Sequence, residues 1–189
     1  HKLQPGCLLT VSRQAPEPAV RAYWSGADVV ERGVAPPFPG PHPDAVDKKE
    51  VLLKTAVRQQ MVADVPLGAF LSGGVDSSVV CALARRKLNV PLKTFSTGFS
   101  NAPESEHITA RAFAEHLGTE HHENLVSPDV SGFLGHIGDL LDEPNGDSSC
   151  LPTFLLSQFV RQHVTVAVSG DGGDELFGGY GRYFATLDD

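Results

Sequence analysis

Val65-Pro66-Leu67-Gly68-Ala69-Phe70-Leu71-Ser72-Gly73-Gly74-Val75-Asp76-Ser77-Ser78 decides the fold. Its first half is a short apolar run that stops at a serine and two glycines, and from Ser77 to Leu88 the apolar spacing turns helical. A strand that ends in a glycine loop and re-emerges as a helix opens a β-α unit. The pattern repeats downstream: Leu92–Phe99 reads as a strand, Glu104–Leu117 as a helix closed by Gly118, and Glu120–Val126 as another strand. Helices are expected over Pro128–Leu141 and Leu151–His163, before the β-branched strand Val164–Val168 enters a second glycine-rich segment. Alternation of this kind calls for an α/β fold, a parallel sheet with helices on both faces.

Upstream, Asp44 to Met61 carries apolar residues spaced for one face of a helix that ends before Pro66. Before it, Ala35-Pro36-Pro37-Phe38-Pro39-Gly40-Pro41-His42-Pro43 excludes a regular helix or central strand and reads as a linker. Cys7–Val11 is strand-like, and Tyr23-Trp24 reads as an aromatic anchor held by packing. At 189 residues there is room for one α/β domain. A net charge of -8 argues against a nucleic-acid or membrane surface as the main partner. The cysteines Cys7, Cys81 and Cys150 lie far apart, as reduced thiols of a cytoplasmic protein would. A start at His1 rather than Met suggests a piece of a longer protein.

In Ser72-Gly73-Gly74-Val75-Asp76-Ser77, glycines bring backbone N–H groups against an anion with no side chain in the way, and the following helix presents its positive end to the same place. Asp76 fits among phosphates only if it holds Mg²⁺, which prefers carboxylate and phosphate oxygens. No lysine follows the glycines as it does in a Walker loop, so a different ATP chemistry is implied. Ser169-Gly170-Asp171-Gly172-Gly173-Asp174-Glu175-Leu176-Phe177-Gly178-Gly179-Tyr180 also follows a strand and sets acids among glycines, a spacing suited to metal and phosphate. The two loops converge if their strands are neighbours. Ser-Gly-Gly-x-Asp-Ser after a strand resembles the signature of the PP-loop ATP pyrophosphatases, which cleave ATP between its α and β phosphates. His107 and His116 on a helix, and His121 and His122 on opposite faces of a strand, do not form a metal set.

Asp64 to Leu71 running into that loop, Ser169 to Tyr183, Leu117-Gly118-Thr119-Glu120-His121-His122-Glu123 and Asp142-Glu143-Pro144 resemble the synthetase domain of the glutamine-hydrolysing asparagine synthetases. The resemblance runs from Asp44 to Phe184; Pro5-Gly6 and Tyr23-Trp24 resemble the tail of that family's glutaminase domain. It implies a boundary, with residues 1–43 as glutaminase tail and linker and 44–189 as a C-terminally truncated PP-loop synthetase domain. It implies ATP and Mg²⁺ as cofactors, adenylation of the aspartate side chain with release of pyrophosphate, and attack by ammonia from glutamine to give asparagine. By the same resemblance Ser72, Gly73, Gly74, Asp76 and Ser77 hold pyrophosphate, and Phe70, Thr97, Ser169 and Gly170 surround adenosine. Asp76 and Asp174 become the Mg²⁺ ligands, and Asp171, Asp174 and Glu175 the catalytic acids. The family tends to form homodimers. The chain lacks the family's N-terminal catalytic cysteine, and the lysine-bearing helical region is expected beyond Asp189, so weak catalysis by this piece is expected. Two alternatives stand beside this reading: a relative that closes a β-lactam or amidates another carboxylate, and a non-catalytic nucleotide-binding module. The loop Asp142–Ser149 reads equally as an acidic surface turn or as a contact to the substrate or a second metal.

Overall fold

The computed structural model describes residues 2–34, 36–99, 106–126, 132, 135, 137–141 and 146–187. The chain divides into two compact units, His1–Lys48 and Lys49–Asp189.

In the first unit, β1 (Cys7–Thr10) and β2 (Ala19–Ala22) form an antiparallel hairpin with Cys7 opposite Ala22 and Thr10 opposite Ala19. Gly6 seeds it: its φ is +70°, the Tyr23 N–H donates to its carbonyl at 2.8 Å, and a Cβ there would lie 2.2 Å from the Trp24 carbonyl oxygen. Helix α1 (Gly26–Val34) follows and buries none of its residues. Neither β2 nor α1 was legible in the sequence, because a four-residue strand and a helix with two glycines carry weak periodicity. Tyr23 and Trp24 are not buried anchors, being 71% and 54% exposed. Helix α2 (His42–Gln60) starts inside the proline-rich stretch, with Pro43 in its first turn, where a missing N–H costs nothing.

The second unit is built on four strands: β3 (Leu67–Phe70), β4 (Lys93–Phe99), β5 (Glu120–Val126) and β6 (Val166–Val168). All pairs are parallel and the order is β5-β4-β3-β6. Between β3 and β4 lie α3 (Val75–Ala82) and a π turn (Leu83–Lys87), and between β4 and β5 lies α4 (Glu106–Leu117), closed by Gly118 at φ +66°. Before β6 come α5 (Ile137–Leu140) and α6 (Cys150–Val160); after it come α7 (Gly173–Phe177) and α8 (Gly181–Leu187). The beginning of the predicted 104–117 helix, half of the predicted 128–141 helix, and Asp142, Glu143 and Pro144 lie outside the described residues.

Strand alternation sorts the core into two layers. Ala69 and Leu71 pack with Val57 of α2, Cys81 of α3, and Ala110, Ala114 and Leu117 of α4 on one face. Phe70 and Phe95 pack with Leu156, Phe159 and Val160 of α6 on the other. The expected α/β fold, a parallel sheet covered on both faces, is therefore present. Among the described residues no helix is long and apolar enough to cross a membrane.

Candidate functional site: two glycine loops at one sheet edge

Strand β3 lies between β4 and β6, so the chain steps from β3 outward to β5 and returns to β3's other side. The strand order reverses there, and a crevice opens beyond the carboxyl ends of the strands at such a point. Both glycine-rich loops leave from it.

The first loop holds itself with its own hydroxyls. The Ser72 N–H donates to Ser77 Oγ at 3.2 Å, Ser77 Oγ donates to the Gly74 carbonyl at 3.2 Å, and the Gly74 N–H donates to Ser72 Oγ at 3.2 Å. With the Ser77 proton committed, the 3.0 Å contact between the two hydroxyls runs from Ser72 to Ser77. Gly73 sits at φ +86°, and a Cβ there would meet the backbone nitrogen of Ala110 at 2.9 Å. Gly74 caps α3 with extended backbone and no side-chain hydrogen bond, which leaves the first N–H groups of the helix for an external acceptor.

The second loop lies against the first. A Cβ on Gly170 would stand 2.6 Å from the Ser77 nitrogen, and one on Gly173 would stand 2.3 Å from Asp76 Cγ. Only glycine lets the two backbones approach this closely. Gly172 at φ +90° turns the chain into α7, and the Gly179 N–H closes back on the Asp174 carbonyl at 3.0 Å. The Tyr180 hydroxyl donates to Glu175 Oε1 at 2.7 Å. That bond holds the Glu175 carboxyl below its usual range and pushes the Tyr180 phenol up to about 12. We expect Gly170→Ala to destabilise the chain by about 1–3 kcal/mol through overpacking, read as a lower urea midpoint at unchanged m-value.

Phe70, Ser72, Gly74, Asp76, Ser77, Ser169, Gly170, Asp171, Asp174 and Glu175 all line one cavity of about 1240 Å³. Gly73 and Thr97 do not: Gly73 shapes the loop from behind, and Thr97 lies on β4 in register with Asn124 of β5. The buried Thr97 hydroxyl has no hydrogen-bond partner among the described residues. The cavity also takes Ser149, from the loop read equally as a surface turn or a contact, and Cys150, Thr153, Phe154 and Ser157 of α6, for which the sequence suggested no site role. A signal was present: Ser149, Thr153 and Ser157 recur every four residues from the cap into a largely apolar helix, which sets their hydroxyls in one row. Six carboxylates face the cavity, Asp76, Glu106, Asp147, Asp171, Asp174 and Glu175, and no Lys, Arg or His among the described residues does.

A family model described as asparagine synthase matches residues 49–188. A putative glutamine-hydrolyzing asparagine synthetase of Mycobacterium tuberculosis is 39% identical over 98% of this chain and 28% of its own length. A second putative one, from Methanocaldococcus jannaschii, is 41% identical over 71% of this chain and 26% of its own length. The chain thus spans roughly a quarter of the length of the curated relatives it matches. Among solved structures, an NMN synthetase of Francisella tularensis aligns over 75% of this chain and 59% of that one, at 22% identity and a TM-score of 0.49. The family match covers most of the unit that carries both glycine loops, and on that match the chain belongs to the asparagine synthase family.

Proposed function

We propose that this chain is the nucleotide-activating part of an ATP-dependent ligase that adenylates the side-chain carboxylate of aspartate, releases pyrophosphate, and lets ammonia from glutamine displace AMP to give asparagine. One observation carries the reading: Gly170 of the second loop seats on the Asp76–Ser77 backbone of the first, so two phosphate-type loops share one cavity. Family membership and the relatives' names supply the reaction.

The residues divide the work by chemistry. The open N–H groups at the start of α3 take the pyrophosphate oxygens, and the Ser72 and Ser77 hydroxyls hold the loop that presents them. Phe70, Ser169 and Gly170 face the nucleoside, and the Thr97 hydroxyl, without a hydrogen-bond partner among the described residues, stands one strand away. Tyr180 orients Glu175, and Asp171 stands on the same wall for the acceptor end.

Among the described residues six carboxylates and no Lys, Arg or His face the cavity, a lining that repels a bare nucleotide, so the polyanion arrives with its own positive charge. The donor set fits Mg²⁺. Asp76 and Asp174 are hard oxygen ligands on the same cavity, and no three His, Cys, Asp or Glu side chains gather into a cage among the described residues. That suits a cation whose shell is completed by phosphate oxygens and water. When bound, Mg²⁺ would neutralise charge on the phosphates as the α–β bond breaks. Action in the cytoplasm and as a homodimer belong to the same reading.

Aspartate-dependent exchange of labelled pyrophosphate into ATP by the full-length protein tests the proposal; exchange driven by another carboxylate alone would overturn the choice of aspartate. Removal of Mg²⁺ with EDTA is expected to abolish ATP binding in calorimetry. Thiol labelling gives an independent readout. Burial pushes the Cys81 thiol up to about 12, so it should resist iodoacetamide at pH 8. Half-buried Cys150 on the cavity wall should react, and Mg·ATP should protect it.

A further inference from the structure

The motif Leu117–Glu123 belongs to neither glycine loop, yet it joins the sheet to the phosphate loop through α4. Thr94 and Ser96 of β4, which are 0% and 3% exposed, place their hydroxyls 2.9 Å from His121 Nδ1 and 3.3 Å from His121 Nε2. The same Nε2 stands 3.4 Å from Glu123 Oε1. Glu123 in turn accepts both a 2.8 Å bond from Arg111 Nε and a second bond from Arg111 Nη2, a two-pronged pair across to α4. Arg111 holds the Glu123 carboxyl below its usual range. The residue before Arg111 is Ala110, the one whose backbone nitrogen lies against Gly73.

Besides this pair, helix α4 is held by core contacts and by the Arg86 side chain, which donates to the His116 carbonyl. Its buried residues are Ala110, Ala114 and Leu117, and alanines allow close approach while burying little apolar surface. A Cβ at Gly73 would meet Ala110 N, Thr109 Cβ and the Glu106 carbonyl oxygen within 3.0 Å, so the helix packs directly on the glycine.

We propose that the Arg111–Glu123 pair is a positioning device for the phosphate loop, clamping α4 to β5 so that Ala110 supports Gly73 and the N–H groups of the loop stay aimed at the ligand. The clamp rests on the proposed function for its ligand, though not for its mechanics. Ordinary exposed ion pairs contribute little to stability, so its effect should appear in the loop more than in the whole fold.

The test is a double-mutant cycle in the full chain, with Glu123→Gln, Arg111→Gln and the double variant. Two readouts are taken: hydrogen exchange of the Gly73–Asp76 amides without ligand, and the dissociation constant of Mg·ATP. Each single variant should accelerate exchange in the loop and weaken Mg·ATP by about tenfold, with other strands unaffected. The double variant should lose no more than either single one, because the two residues act as a unit. Unchanged loop exchange, additive losses, or faster exchange spread evenly over the second unit would overturn the clamp. If the parent chain does not bind Mg·ATP, the proposed function fails, and loop exchange still decides on the clamp.

Discussion

Asp76→Asn is expected to lower ATP–pyrophosphate exchange by about three orders of magnitude, roughly 4 kcal/mol of transition-state stabilisation, while the chain remains folded. Asparagine keeps the size and hydrogen-bonding capacity of the side chain and removes the charge, so packing over Gly173 survives. What is lost is the carboxylate at the start of α3, where a negative charge is otherwise useful only to the helix dipole. If Asp76 served merely as a first-turn acid, the substitution would cost no more than about 1 kcal/mol of stability and leave exchange intact. Exchange rate and urea midpoint, measured on the same preparations, therefore separate the two roles. Retained exchange would remove Asp76 from the proposed metal site.

Phe95→Ala should be the most damaging change in the core, costing about 3–5 kcal/mol and lowering the thermal midpoint by on the order of 10 °C. Phe95 is fully buried at the centre of the face covered by α6. Its ring stacks on His122 at 5.3 Å, meets Phe159 edge-on at 6.1 Å and lies 5.5 Å from His163. Gly68 makes room for it, since a Cβ there would come within 2.6 Å of the ring. Its register partner on β3 is Phe70, which lines the cavity, so the void should also loosen the nucleoside side of the site. Chemical denaturation of the variant measures the loss; a change below about 1 kcal/mol would show that the layer can close over the gap.

How much of this was readable in advance differs by element. Strands β4 and β5 were legible because each is a seven-residue run bounded by turn residues. The glycine loops were legible because φ above zero and close backbone approach leave almost no choice but glycine, and Gly73 and Gly172 do stand at +86° and +90°. The hairpin β1–β2 was only half seen, because a short exposed strand has no buried face to impose alternation. Thr97, expected at the nucleoside, lies off the cavity wall with its hydroxyl unmet among the described residues, and Thr153 and Ser157 of α6 lie on that wall unannounced.

The division has one physical cause. Local signals such as apolar period, glycine conformation and a serine beside a helix start act over a few residues, so the chain itself specifies the strand–loop–helix units and the chemistry of each loop. The placement of β6 beside β3, some hundred residues earlier in the chain, leaves no local mark, since parallel pairing depends on backbone groups that every residue carries. Folding brings Gly170 onto Ser77, turns α6 toward the same cavity, and sets Ala110 behind Gly73. Those contacts turn two separate loops into the lining of one cavity.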